Sequence, residues 1–269
     1  MVSYLAGLSE QDVLTLARVA GYEPAQLATE LRHRPWLIND LLLDDSVIDF
    51  VTAPNGRLSD RVSPFLLFAV LIRLVAEELH DATYVNDWTG PRSRLPVFDV
   101  APLQEFLEDP GRMFFLVAVL SSFAVPEPPP VPADPFDLSD LARWLEQALP
   151  RDRANLLRRL GDLSLLMAGI FPDRTGSTPM RPLEAERLGR TAGMKAEEML
   201  ALADAGRMAP GLEAFDSLGS RWYEAAASEG GAPPVVADVA SRFRSARRVL
   251  NHLTDRHLYR IQPHWNLAV

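Results

Sequence analysis

Apolar residues recur three and four positions apart over most of the chain, which is the spacing of helices that bury one face. The clearest case is the segment 234–259, whose apolar stripe consists of Val236, Val239, Phe243, Ala246, Leu250 and Leu253. Similar patterns predict helices at about 64–80, 99–107, 113–124, 138–149, 151–170, 182–205 and 210–228. We therefore expect an all-α protein built as a multi-helix bundle.

Helix starts and breaks are marked by capping residues. Ser9 with Asp12 three positions later predicts a capping box at the start of the first helix. Ser63 followed by Pro64 predicts the start of a helix that ends near His80. The triplet Asp109-Pro110-Gly111 is interpreted as a breaker between the helices at 99–107 and 113–124.

The segment 82–100 has no helical period and contains Gly90, Pro91 and Pro96. Its start, Thr83-Tyr84-Val85, favours a strand, and the sequence DWTG at 87–90 is interpreted as a turn. These residues predict at most a short hairpin near 82–98. Irregular segments of this length inside compact domains are often functional.

A proline-rich stretch, PEPPPVPADP at 126–135, divides the sequence. Six prolines in ten residues are incompatible with a helix or a central strand and favour a stiff, extended polyproline II conformation. We predict two helical subdomains, 1–125 and 136–269, with 126–135 as a linker between them or a strap across one of them.

Composition restricts the classes of function. The net charge of -9 argues against nucleic acid and anionic membranes as partners. The absence of cysteine excludes disulfides and thiolate chemistry. Two apolar runs, 65–76 and 114–125, are too short to span a bilayer and are interpreted as buried central helices. The N-terminus lacks the pattern of a secretory signal, so we expect the protein to be cytoplasmic. The preference for arginine over lysine suggests a GC-rich bacterial source.

A metal site is one hypothesis, because imidazole and carboxylate groups together can hold a divalent ion that activates water. The candidate ligands are His33, His80, Asp81 and Asp162. Their order resembles the metal-ligand pattern of HD-type phosphohydrolases, an all-helical family, and the resemblance implies hydrolysis of phosphate esters. The alternative interpretation is that His80-Asp81 is an ordinary polar helix end.

Two further motifs are weaker. Glu30-x-x-His33 and Glu77-x-x-His80 have the spacing used by di-iron bundles, but no glutamate lies between His33 and Glu77 to complete such a site. The sequence DRTGST at 173–178 is interpreted as a turn.

Arginines are concentrated in the C-terminal helix. Arg244, Arg247 and Arg248 are predicted to lie outside the apolar stripe, as an exposed surface that binds an anion or a partner. The alternative is that they pair with acidic side chains of the same chain.

We expect a non-enzymatic protein that binds a protein partner or a small ligand, as a monomer or a homo-oligomer. The alternative is a metal-dependent phosphohydrolase, which requires His33, His80, Asp81 and Asp162 to converge. A divalent metal is a cofactor only under this alternative. A helix-turn-helix at 16–31 is disfavoured because its second helix begins with acidic residues.

Overall fold

The computed structural model describes residues 4–53, 62–90, 92–124, 137–177, 180–202 and 210–258. Fifteen α-helices account for most of these residues, and a two-stranded antiparallel hairpin is the only sheet within these ranges. The all-α class and the short hairpin are therefore confirmed. The linker predicted at 126–135 lies outside the described residues.

The first seven α-helices and the hairpin come before the proline-rich stretch. After a 3-10 turn at Tyr4–Ala6, these elements are α1 (Glu10–Val19), α2 (Pro24–His33), α3 (Leu37–Leu41), α4 (Asp45–Thr52), α5 (Pro64–His80), β1 (Val85–Gly90), β2 (Ser93–Val97), α6 (Ala101–Leu107) and α7 (Pro110–Ala124).

The remaining helices follow the proline-rich stretch. They are α8 (Leu138–Gln147), α9 (Pro150–Ile170), α10 (Pro172–Ser177), α11 (Pro182–Thr191), α12 (Ala196–Leu202), α13 (Pro210–Ser228), α14 (Pro234–Ser241) and α15 (Phe243–Leu253), with a π-helical turn at Thr254–Leu258.

The predicted helix caps are present. The Ser9 hydroxyl accepts a hydrogen bond from the Asp12 backbone N–H, and the Asp12 carboxylate accepts one from the Ser9 backbone N–H. Asp12 is buried because it also accepts hydrogen bonds from the backbone N–H and the hydroxyl of Ser63, the N-cap of α5. One carboxylate thus stabilises the starts of two helices.

Several predicted boundaries are wrong. The segment 182–205 is divided at Gly193, which adopts a left-handed conformation with φ of 67°, and the segment 234–259 is divided at Arg242. Asp109 caps α7 by accepting hydrogen bonds from the backbone N–H groups of Gly111 and Arg112, so that helix starts at Pro110 rather than at 113.

Contacts divide the described residues into two compact units. Unit 1 lies within Met1–Ala82, Leu107–Glu127 and Leu253–Val269, and unit 2 lies within Thr83–Phe106 and Pro128–His252. The hairpin and α6 therefore belong to the same unit as α8–α14, although they come before the proline-rich stretch in sequence.

Unit 1 is built around α5 and α7, which pack against each other. Most of the described apolar side chains of the two predicted runs, within 65–76 and 114–124, are buried there, as their sequences indicated. In the described part of the chain, no helix combines the length and the apolar character needed to cross a membrane.

Unit 2 is built around α9 and α13, which lie along each other. Gly161 of α9 lies against the Tyr223 ring and Gly219 of α13 lies against the Phe243 ring, so a Cβ atom at either glycine would overlap an aromatic side chain. These small residues let the helices approach closely, and the apolar stripe of α14 and α15 is buried as predicted.

Candidate functional site

The hairpin is the most distinctive element of unit 2. Its strands pair from Val85 opposite Val97 to Trp88 opposite Arg94, with an irregularity before Gly90. The turn includes Arg92, whose φ of 56° is left-handed. The sequence DWTG, predicted to form the turn, instead belongs to β1, so that interpretation is wrong. An isolated two-stranded hairpin is at best marginally stable in water, so its attachments to the helices must supply most of its stability.

Trp88 is the apolar attachment of the hairpin. Its side chain is buried against Ala168, Leu212 and Phe215. The backbone of Gly176 in α10 packs directly against the indole, and a Cβ atom at this position would overlap the ring. The tryptophan therefore fills a slot between α9, α10 and α13.

Asp173 is the first polar attachment. Its carboxylate accepts hydrogen bonds from Trp88 Nε1 at 2.8 Å, from the Arg92 backbone N–H at 2.9 Å and from Arg94 Nη1 at 3.2 Å. These donors lower the pKa of Asp173 to about 2 against the opposing effect of desolvation. The predicted turn at DRTGST is wrong, because α10 covers Pro172–Ser177 and holds this carboxylate toward the hairpin.

Asp87 is the second polar attachment, and it contacts two arginines of α15. Its Oδ2 lies 3.2 Å from Arg248 Nε, and its Oδ1 lies 3.7 Å from Arg247 Nη1. The Oδ1 atom also accepts a 2.9 Å hydrogen bond from the Trp88 backbone N–H. All three charged side chains are largely buried. The hairpin is thus held by a buried ion cluster as well as by Trp88.

Arg247 and Arg248, the two arginines of this cluster, differ in how many of their N–H donors form hydrogen bonds. Arg247 Nε donates to Asp216 at 2.8 Å, and Arg247 Nη1 donates to Asn251 at 2.7 Å. Among the described residues, Arg248 donates only one long hydrogen bond, of 3.3 Å, from Nη1 to the Asp99 carbonyl. Its Nη2 is buried and has no hydrogen-bond partner in the described part of the chain, and its Nε is close to Asp87 without hydrogen-bond alignment.

Asn251 extends the network to the end of α9. Its amide nitrogen donates to the carbonyls of Ala168 and Gly169, two of the last carbonyls of that helix, while its amide oxygen accepts from Arg247. The last carbonyls of a helix generally lack intrahelical partners, so Asn251 acts as a cap supplied by a distant residue.

The predicted exposure of the C-terminal arginines is correct only for Arg244. Arg247 is 4% exposed and Arg248 is 8% exposed, so their predicted exposure is wrong. The physical reason is that acidic partners from α13 and the hairpin cover them. Anion or partner binding by these three residues stays a prediction.

A further arginine of this region, Arg242 at the end of α14, attaches α6. Arg242 donates to Glu105 at 2.8 Å and to Asp238 at 3.0 Å. The hydrogen bond to Glu105 raises the pKa of the Arg242 guanidinium. The arginines around α15 therefore hold the whole segment from the hairpin to α6.

The residues of the predicted metal site lie in different environments. His33 is exposed at the end of α2, and its Nδ1 is 2.8 Å from the Thr29 carbonyl. His80 and Asp81 are exposed at the end of α5 in unit 1, whereas Asp162 is buried in α9 of unit 2. Among the described residues, no group of three or more His, Asp or Glu side chains is arranged to hold a metal ion. The metal site stays a prediction.

Asp162 instead forms a buried pair with an aromatic side chain. Its Oδ1 accepts a 2.8 Å hydrogen bond from the Tyr223 hydroxyl, and its Oδ2 lies 3.9 Å from Arg158 Nε. Burial raises the pKa of Asp162, although Arg158 and the tyrosine hydrogen bond oppose that shift. The same burial, together with the nearby carboxylate, raises the pKa of Tyr223.

One side of the hairpin carries an exposed surface that we call the aromatic patch, formed by Tyr84, Asn86, Pro96 and Phe98. Tyr84 is 49% exposed and Phe98 is 75% exposed, and their ring centroids are 6.1 Å apart. Asn86 and Pro96 are paired across the two strands, between the two aromatic rings and the buried Trp88. Asn86 and Pro96 are both exposed. Large apolar side chains grouped on a surface in this way are typical of interaction sites.

Sequence reasoning selected the hairpin segment but did not identify its exposed pair of aromatic side chains. The aromatic residues Tyr84 and Phe98 can be read from the sequence, but their exposure depends on which side of the hairpin the helices cover.

Comparison with protein-family models, with curated proteins and with solved structures finds no match to this chain.

Proposed function

We propose that this protein acts by binding another protein, and that the partner contacts the aromatic patch of the hairpin. The observation that supports this proposal is that Tyr84 and Phe98 are exposed side by side on an element that is otherwise firmly attached. Aromatic side chains are enriched among the residues that contribute most to binding energy.

The attachments of the hairpin support a role in recognition. Trp88, Asp173 and Asp87 fix its position, so the two rings are presented on a rigid element. Binding by a rigid surface loses less conformational entropy than binding by a mobile loop. The hairpin thus resembles a preorganised binding element more than a connecting loop.

Charge suggests the kind of partner. The chain carries a net charge of -9, and Asp99 is exposed directly after Phe98. A protein that presents an apolar side chain next to a basic one would complement both features. The cytoplasm stays the predicted compartment for this interaction.

The proposal is tested by crosslinking from the patch and then by measuring affinity. p-Benzoylphenylalanine replaces Phe98 in one sample and Leu183, which is 81% exposed on α11, in a control sample. A protein crosslinked only from position 98 is then purified, and its Kd is measured by calorimetry with the unmodified chain, with a Y84A/F98A double variant and with L183A.

We expect the double variant to weaken binding at least about tenfold, because loss of two aromatic anchors costs more than 1.4 kcal/mol. L183A should bind like the unmodified chain. An unchanged Kd for the double variant contradicts the proposal. Crosslinks only between copies of the chain would identify the patch as a self-association surface and would also overturn it.

A further inference from the structure

A second surface of unit 2 is formed by two arginines one turn apart on α15. Arg244 and Arg248 are four residues apart and therefore lie on the same side of the helix. Arg244 is exposed and makes no ion pair with any residue that the structure describes. Arg248 is 8% exposed and leaves its Nη2 donor unpaired.

The neighbouring acidic residues make no hydrogen bond to Arg248 Nη2. Asp87 faces Arg248 Nε with one carboxylate oxygen and accepts from the Trp88 backbone with the other. Asp216 accepts from Arg247, and Asp99 offers its backbone carbonyl to Arg248 Nη1. The nearby carboxylates therefore leave Nη2 without an acceptor.

A buried donor without an acceptor is costly, and an arginine donor especially so. Burial lowers the pKa of Arg248, and the cations Arg244 and Arg247 act in the same direction, against the opposing charges of Asp87 and Asp99. Additional negative charge at this position would relieve both the unpaired donor and the repulsion between the arginines.

We propose that Arg248 Nη2 and the guanidinium of Arg244 together bind a small oxyanion, a phosphate or a carboxylate. Arg244 provides an exposed guanidinium one turn before Arg248, and Arg248 provides the buried donor. Guanidinium groups suit this role because their N–H donors match the oxygen spacing of both anions. This proposal does not depend on the aromatic patch.

The test is thermal unfolding of the full chain in sodium chloride, sodium phosphate and sodium acetate at matched ionic strength and pH. It compares the unmodified protein with R244Q, with R248M and with the control R221Q. Arg221 is a partly exposed arginine of α13 that pairs with Glu198.

We expect phosphate or acetate to raise the Tm of the unmodified protein and of R221Q by about 2–4 °C relative to chloride. R244Q should lose most of this shift, and R248M should lose all of it. A shift with phosphate alone assigns the site to a phosphate group, and a shift with acetate assigns it to a carboxylate.

Equal shifts in all four proteins would reflect the general stabilising effect of phosphate and would overturn the proposal. The absence of any shift in the unmodified protein would also overturn it. If R248M does not fold, R244Q and R221Q still decide the question, because Arg244 is exposed and its replacement should leave the fold intact.

Discussion

The hairpin is attached at two carboxylates, Asp173 and Asp87, and the two attachments differ. Asp173 is partly exposed, and its oxygens accept from an indole, a backbone N–H and a guanidinium. Asp87 is largely buried and contacts two arginines, of which Arg248 keeps an unpaired donor.

The difference between the two attachments indicates a structural role for Asp173, whereas we propose that the Asp87 cluster also takes part in binding. Asp173 accepts from Trp88 Nε1, from the Arg92 backbone N–H and from Arg94, as a purely structural attachment requires. A buried network that leaves a donor unpaired is less stable than it could be, and this is the donor to which we assign the proposed oxyanion. Buried ion pairs are also costly to break, so the two networks should respond differently to substitution.

Among the charged residues of the two attachments, the largest effect is expected for R247M. This change leaves Asp216 buried without its guanidinium partner and should lower the free energy of unfolding by about 3–5 kcal/mol. R248M is the matched control, and it should cost clearly less because Arg248 makes only one long hydrogen bond. Urea denaturation of both variants measures the difference, and equal losses would remove the distinction between the two arginines.

A smaller effect is expected for D173N, which should lower stability by about 1.5–3 kcal/mol because three donors lose a charged acceptor. The pKa of Asp173 is lowered to about 2 in the folded protein, so its contribution is present above about pH 3.8 and is lost as pH falls toward 2. The stability difference between the unmodified protein and D173N should therefore shrink over that range. A difference that is constant with pH would contradict this role.

Asp162 should show the opposite pH dependence. Its folded pKa is raised by burial, so its favourable contribution is present below about pH 3.8 and is lost as pH rises above that value. The stability of the unmodified protein relative to D162N should therefore fall as pH rises from 3 to 7. Urea denaturation at several pH values measures this trend, and a rising difference would show that the carboxylate is stabilised as an anion.

The smallest effect on stability is expected for Y84A/F98A. Both side chains are substantially exposed, so the free energy of unfolding should change by less than about 0.5 kcal/mol for each. The matched change W88A removes a buried ring and should cost about 3–5 kcal/mol. Comparable losses for the two variants would mean that the aromatic patch is part of the core.

The sequence predicted the fold where local rules decide it. The capping residues Ser9 and Ser63 located helix starts, and the apolar stripe of α14 and α15 is buried as its spacing indicated. Both signals lie within a few residues of the structure that they predict. The division at Arg242 was missed because the stripe continues across it.

The site was harder to predict because its contacts join distant residues. Arg247 is four residues after Phe243 and three before Leu250, so its proximity to the buried stripe could have been recognised. Arg248 points away from that stripe and is buried only because the hairpin, far away in sequence, supplies Asp87. Helical periodicity contains no information about whether a distant segment, such as the hairpin, will bury a residue that lies outside the apolar stripe.

The most direct test of partner binding is hydrogen–deuterium exchange of the full chain with and without the protein crosslinked from position 98. We expect the partner to slow amide exchange in peptides that cover 83–87 and 95–99, and to leave the peptides that cover α11 unchanged. Slower exchange elsewhere, with the hairpin peptides unaffected, would contradict the assignment of the aromatic patch as the binding surface.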